Sequence, residues 1–148
     1  MYRIRVERIV KQPILTVFNA LSDHENYSSF PMIDESVLLK PGEADKNGNG
    51  ALRKIRSGGF VVKERIYAVE RPTQIGYQIE YSKPIPMGHQ LGRIKLDAID
   101  EVTTRAVWIS EGHVSWPLIG WLLDKQIEKN GTRVFHRMLK HIEQHGGL

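Results

Sequence analysis

The feature that most narrows the fold is the C-terminal stretch. From Pro117 onward, Ile119, Leu123, Ile127, Val134, Met138 and Ile142 fall within one apolar stripe at helical spacing, with Phe135 and Leu139 beside it. A helix over 117–144 would be roughly 40 Å long at ~1.5 Å per residue. Such a helix is stable only when its apolar face is packed on something. It must lie across a sheet.

The preceding residues supply that sheet. Residues 2–9 alternate, Tyr2, Ile4 and Val6 against Arg3, Arg5 and Glu7, as a half-buried strand does. Pro13 opens a helical pattern of Ile14, Val17, Phe18 and Leu21. Ser22 and Asp23 suit the N-cap of a second short helix carrying Tyr27 and Phe30 and stopped by Pro31. The period then becomes two, with strands expected over 33–40, 50–56, 60–70, 74–81, 91–99 and 105–114. Their separators are turn-rich, among them Asn47-Gly48-Asn49-Gly50, Ser57-Gly58-Gly59 and Pro84-Ile85-Pro86. No helical pattern interrupts them, so an antiparallel meander is expected rather than βαβ units. Ile75, Tyr77, Ile79 and Tyr81 make the cleanest one-sided face, followed by Ile94, Leu96 and Ala98. The expected class is α+β. A curved antiparallel sheet of six to seven strands wraps a long C-terminal helix, two short helices follow the first strand, and residues 1–148 form one domain.

Composition removes several chemistries. The absence of cysteine excludes disulfides, thiolate metal sites and a thiol nucleophile. The N-terminus is charged throughout and lacks a signal peptide's apolar core, and the longest apolar run, 116–123, is too short to span a bilayer. A cytoplasmic protein without a transmembrane segment is expected. The net charge of +4 is compatible with an acidic partner without demanding one.

Three segments carry a family resemblance. Residues 13–27, from Pro13 through Ser22-Asp23 to Glu25 and Tyr27, resemble the opening of the polyketide cyclase/dehydrase group of the START-like (SRPBCC) superfamily. In that group a helix ends in a Ser-Asp pair followed by an acidic residue and an aromatic. Residues 62–72 are similar to its strand with an internal Glu-Arg, here Glu64-Arg65, leading to a proline turn at Pro72. Residues 103–108, Thr-Thr-Arg-Ala-Val-Trp, are similar to its Gly-Thr-Arg-x-x-Trp strand, with Thr103 in place of the glycine. The resemblance implies the helix-grip fold and a hydrophobic cavity between sheet and helix. Its members include aromatase/cyclases, lipid and coenzyme Q binders and ribosome-associated toxins. It brings no catalytic motif common to the group, and fold alone does not license a reaction.

With such a cavity, the expected ligand-binding residues are Tyr77, Ile79, Tyr81, Ile94, Leu96 and Trp108 on the sheet. Trp116, Ile119, Leu123, Ile127 and Val134 would join them from the helix, with Asn130 able to orient a ligand carbonyl or hydroxyl. The run 116–123 is apolar all round: either a buried helix start, or a pocket wall or gate faced by the loop 84–87. Gly131, which costs about 1 kcal/mol in mid-helix, implies a close approach by a sheet residue such as Trp108, or a bend.

Glu64, Glu111 and His113 are the candidate catalytic groups. A desolvated carboxylate beside an imidazole could serve as the acid/base pair of a dehydration or aldol cyclisation. Glu111 and His113 share a strand face with Val107 and Ile109, opposite Ala106 and Trp108. Parity leaves open which face meets the cavity, and charged strand residues are mostly exposed. Other motifs dissolve on inspection. Asp45-x-Asn47-x-Asn49-Gly50 opens like a calcium loop, but Arg56 stands where a bidentate glutamate is required. The histidines lack zinc-ligand spacing, and there is no phosphate loop or dinucleotide fingerprint, so neither metal nor cofactor is expected.

The other helix face carries Lys125, Lys129, Arg133, His136, Arg137 and Lys140. It reads as a solvated face, and also as one able to meet a polyanion such as RNA, a ribosome or anionic lipid. The leading expectation is binding of a hydrophobic small molecule: a lipid, a polyketide, or an isoprenoid or quinone-like compound. A cyclase or dehydratase acting on such a ligand is the alternative, and an adaptor using the basic face is the third. Ligand identity, turnover and oligomeric state are left open.

Overall fold

The computed structural model describes residues 1–146. Seven strands form one antiparallel sheet: β1 (Tyr2–Val10), β2 (Glu35–Lys40), β3 (Leu52–Ser57), β4 (Phe60–Glu70), β5 (Gln74–Lys83), β6 (Met87–Asp100) and β7 (Thr103–Val114). Helix α1 (Ile14–Ser22) and a 3-10 helix (His24–Ser29) link β1 to β2, and α2 (Gly120–His145) follows β7. The order across the sheet is β1-β7-β6-β5-β4-β3-β2. Strands β2 to β7 therefore form a meander, and only the first strand crosses over, to pair with the last. This is the helix-grip fold.

Alternation does most of the positioning. On β7 every even-numbered residue from Thr104 to Val114 is buried. Trp108 sits opposite Val6 of β1 and Ile94 of β6, so three inward residues form one layer beneath the helix. Helix α2 packs chiefly on β1 and β7. A Cβ on Gly131 would stand 2.3 Å from Ile4 Cδ1, so the close approach expected there is made by β1. Trp108 instead stacks on Phe135, with ring centroids 4.0 Å apart.

Both ends of α2 are fixed by identifiable contacts. At the start, the buried Asp124 Oδ1 accepts the Val114 N–H at 2.8 Å, and a Cβ on Gly120 would lie 2.6 Å from the Val114 carbonyl oxygen. At the end, Gly146 takes φ 70° and donates its N–H to the Ile142 carbonyl at 2.8 Å, a left-handed C-cap.

Two local expectations need correction. The last helix begins at Gly120 rather than at residue 117, because Leu118 adopts φ 70° and cannot continue a right-handed turn. The second short helix is 3-10, and Asp23 makes no capping hydrogen bond; its carboxylate accepts from Asn26 Nδ2 at 2.8 Å. Asp45 belongs to the β2–β3 connection, where its Oδ1 accepts the Asn47 N–H at 3.0 Å in an Asx-type turn. No helix among the described residues is long and apolar enough to cross a membrane.

Candidate functional site

Between α2 and the sheet lies a cavity of about 570 Å³. Ile4, Ile33, Ile55 and Val62 contribute to its apolar wall, with Leu123, Ile127, Val134 and Phe135 opposite them on the helix. The β3–β4 turn, Ile85 of the β5–β6 connection and Met87 at the start of β6 border it. Of the expected ligand-binding residues, Tyr77, Ile79, Trp108, Leu123, Ile127, Asn130 and Val134 line this space. Asn130 is exposed, so it stands at the rim, where its Oδ1 accepts from Gln126 Nε2 at 3.1 Å.

The others lie elsewhere, each for a physical reason. Lys63 pairs with Tyr81 but Glu64 pairs with Ile79, so Glu80 is an extra residue on β5. That bulge flips the parity and turns Tyr81 outward, 45% exposed, with Lys63 Nζ 5.0 Å from its ring centroid. Ile94 and Leu96 do point inward, but into the solid core, at 1% exposure each and outside the cavity lining. Trp116 and Ile119 are exposed to water at 40% and 47%, outside the cavity. Apart from the buried Gly120 and from Leu123 on the cavity wall, the run 116–123 is thus neither a buried helix start nor a pocket wall. Glu111 and His113 share the outer face of β7, since the even-numbered residues fill the inner one. They do not reach the cavity.

Glu64 does line the cavity, and it brings a partner that charge rules hide. Arg53, 2% exposed, lies directly across the β3–β4 hairpin from Glu64. Its Nε and Nη2 both donate to Glu64 Oε2, at 2.7 and 2.6 Å. Burial works against the guanidinium charge, but the Glu64 carboxylate and, after it, the Tyr27 phenol together outweigh it and raise the Arg53 pKa. Arg53 Nη1 donates to His24 Nδ1 at 3.0 Å, and its guanidinium carbon lies 4.4 Å from the Tyr27 ring centroid. Because arginine only donates, His24 carries its proton on Nε2 and gives it to the Asn47 carbonyl at 3.0 Å. Burial first, and the Arg53 charge second, push the His24 pKa down to about 3.

Two hydrogen-bonding positions remain open at this end. No described residue bonds to Glu64 Oε1, and the buried Tyr27 hydroxyl, beside the Arg53 guanidinium, finds no acceptor for its proton among them. Both residues line the cavity.

A second polar group adjoins the first. Trp108 Nε1 donates to the Tyr77 hydroxyl at 2.8 Å, and Tyr77 stacks on His89. The Ile79 N–H donates to His89 Nδ1 at 3.1 Å, which leaves the His89 proton on Nε2, directed at Ser110 Oγ 3.0 Å away. The Ser110 hydroxyl proton is therefore free to turn elsewhere, near the Tyr2 and Tyr77 phenols. Burial pushes Tyr2 up to about 12, raises Tyr77 as well, and lowers His89, so all three are neutral near pH 7. The site thus offers apolar walls, fixed neutral donors and one carboxylate oxygen. Among the described residues no cluster of three metal-ligating side chains occurs.

The residues that sequence reasoning missed are Tyr2, His24, Tyr27, Arg53, His89 and Ser110. A signal existed for three of them. Arg53 shares strand parity with Ala51 and Ile55, Ser110 with Ala106 and Trp108, and Tyr2 with Ile4 and Val6. Each polar residue stands beside apolar neighbours of the same parity.

The family model described as polyketide cyclase / dehydrase and lipid transport matches residues 1–146. No curated protein sequence matches the chain. Among solved structures, a START superfamily protein from Mycobacterium smegmatis is similar at TM-score 0.77 and 14% identity, covering 97% of this chain and 99% of that one. The ZhuI aromatase/cyclase from Streptomyces sp. R1128 is similar at TM-score 0.74 and 18% identity, covering 99% and 98%. A protein from Nitrosospira multiformis is similar at TM-score 0.71 and 15% identity, covering 96% and 94%. At these identities the likeness speaks for the fold.

Proposed function

Since the chain belongs to the polyketide cyclase / dehydrase and lipid transport family, we propose that it binds a hydrophobic small molecule of the lipid, polyketide or isoprenoid/quinone-like class in the cavity beneath α2. The reading treats 1–148 as one domain, of which residues 147–148 lie outside the described residues. A volume of about 570 Å³ suits a ligand of drug size. The observation that carries the reading is the contrast inside that space, an apolar wall ending in the unpartnered Tyr27 hydroxyl and Glu64. A buried hydroxyl without a partner is costly, and a ligand oxygen would relieve it. The preferred ligand is therefore an apolar body carrying an oxygen function, one that accepts from Tyr27 or donates to Glu64.

Native mass spectrometry of protein purified from its source should reveal a retained small molecule, and an apolar fluorescent probe should compete for the site. Leu123→Asp, on the half-buried helix wall, should abolish retention of both. Absence of any bound molecule together with no probe binding would overturn the reading.

A second reading, a cyclase- or dehydratase-type enzyme, keeps one of its three expected residues, because Glu64 borders the cavity. In that case Glu64→Gln should stop turnover of a polyketide-like substrate while leaving its binding within a few-fold, as expected for a lost proton-transfer group. If turnover survives the substitution, Glu64 is not the base.

A further inference from the structure

The least expected surface lies beside the cavity. Leu118 is 92% exposed, Trp121 62%, Leu122 54%, Ile119 47% and Trp116 40%, all within one short segment. Leu118 holds its side chain in water from a left-handed backbone, and Trp121 Nε1 braces the turn by donating to the Leu118 carbonyl at 3.1 Å. An ordered apolar knuckle of this kind is an interaction surface by default.

Its partner can be read from the charges behind it. Lys125 Nζ lies 5.5 Å from the Trp121 ring centroid, Lys129 follows on the same exposed outer face, and Arg133, also exposed, stands where that face meets the cavity rim. None of these three forms an ion pair among the described residues. The nearby acids are turned away: Glu128 accepts the Arg3 N–H at 3.0 Å, and Asp124 is buried against the end of β7. We propose that 116–122 docks on a bilayer bearing anionic phospholipid, with tryptophan and leucine in the headgroup–acyl boundary and Lys125, Lys129 and Arg133 on the phosphates. A second copy fits poorly, because two-fold pairing would set the same unpaired cations face to face. RNA would leave the apolar knuckle unexplained. The next helical turn carries Leu123, Gln126 and Ile127, which line the cavity, so a docked molecule holds its rim at the membrane surface. The inference does not depend on which ligand the cavity takes.

The test is co-sedimentation of the full chain with phosphatidylcholine vesicles, with and without phosphatidylglycerol. The wild type should bind the anionic vesicles, with a blue shift of tryptophan fluorescence. Leu118→Asp/Trp121→Asp should lose at least about tenfold in partitioning, and Lys125→Glu/Lys129→Glu about fivefold per charge, on the anionic vesicles only. Leu15→Asp, at another exposed leucine, should change nothing. Thermal melting verifies that each variant is folded. Failure of the folded wild type to bind either vesicle overturns the proposal. So does equal binding to both vesicles, or binding unchanged in Leu118→Asp/Trp121→Asp. A dimer dissolved by that variant in a protein that ignores vesicles points to a second copy instead. Retention on RNA, lost only with the lysine variant, does the same for a polyanion.

Discussion

The Arg53–Glu64 pair and the knuckle at 116–122 depart from ordinary burial in opposite directions. The first puts two charges inside, with Arg53 at 2% exposure; the second puts a leucine outside, at 92%. Neither arrangement follows from maximising stability. Ion pairs in a low-dielectric interior roughly break even at best, and an exposed apolar cluster gains nothing in water. Each is nevertheless held firmly, the pair by two charge-assisted hydrogen bonds and the knuckle by the Trp121–Leu118 bond. Local rules are most often broken where a protein does something. The pair lies at the polar end of the cavity, and the knuckle precedes the helical turn whose Leu123 and Ile127 line it.

The largest effect expected on this contrast comes from splitting the pair. Glu64→Ala leaves Arg53 buried and unpaired and should destabilise the protein by about 3–5 kcal/mol in urea unfolding. Arg53→Met/Glu64→Leu together should recover most of that loss while weakening retention of an oxygen-bearing ligand. A double variant as unstable as the single would mean that the pair itself contributes net stability.

Acid should probe the same network. His24 titrates at about 3 in the folded state and near 6.5 unfolded, so its folded form binds fewer protons at intermediate pH. Its contribution is fully present above about pH 6.5 and is lost as pH falls toward 3, by up to about 1.4 kcal/mol per pH unit. His89, also lowered by burial, acts in the same direction. In pH-dependent unfolding, His24→Gln should flatten this slope relative to the wild type.

Smaller effects belong to the helix and the knuckle. Gly131→Ala gains helix propensity but drives a Cβ onto Ile4 Cδ1, and should cost about 1 kcal/mol net. Adding Ile4→Val, which removes that methyl, should turn the change favourable. Leu118→Gly relieves a left-handed leucine with no buried contacts to lose, and should raise stability by about 0.5 kcal/mol. A drop in melting temperature would show that Leu118 packs in solution.

The antiparallel meander and the long helix were legible because each rests on a local period that burial enforces, and the helix-grip class through the family resemblance; the pairing of β1 with β7 was not, because it joins strands far apart in the chain. The inward pair Tyr77 and Ile79 was legible for the same reason as the meander. Tyr81 was not, because a one-residue bulge at Glu80 reverses parity without leaving a mark in composition. Glu111 and His113 were undecidable, since Val107 and Ile109 make the outer face of β7 as apolar as its inner one.

By itself, the alternation of side chains determined that strands, helix and a shared apolar interior must exist, because period and hydrophobicity are properties of neighbouring residues. Only the tertiary structure decided where that interior is hollow and which polar groups enter it. Arg53 acquires a place in the core through Glu64 eleven residues away and His24 twenty-nine away. The exposure of the run 116–122 was likewise decided by where α2 could begin once Asp124 and Gly120 had fastened it to the end of β7. Apolarity makes burial favourable, but whether a surface is available to bury against depends on the rest of the chain.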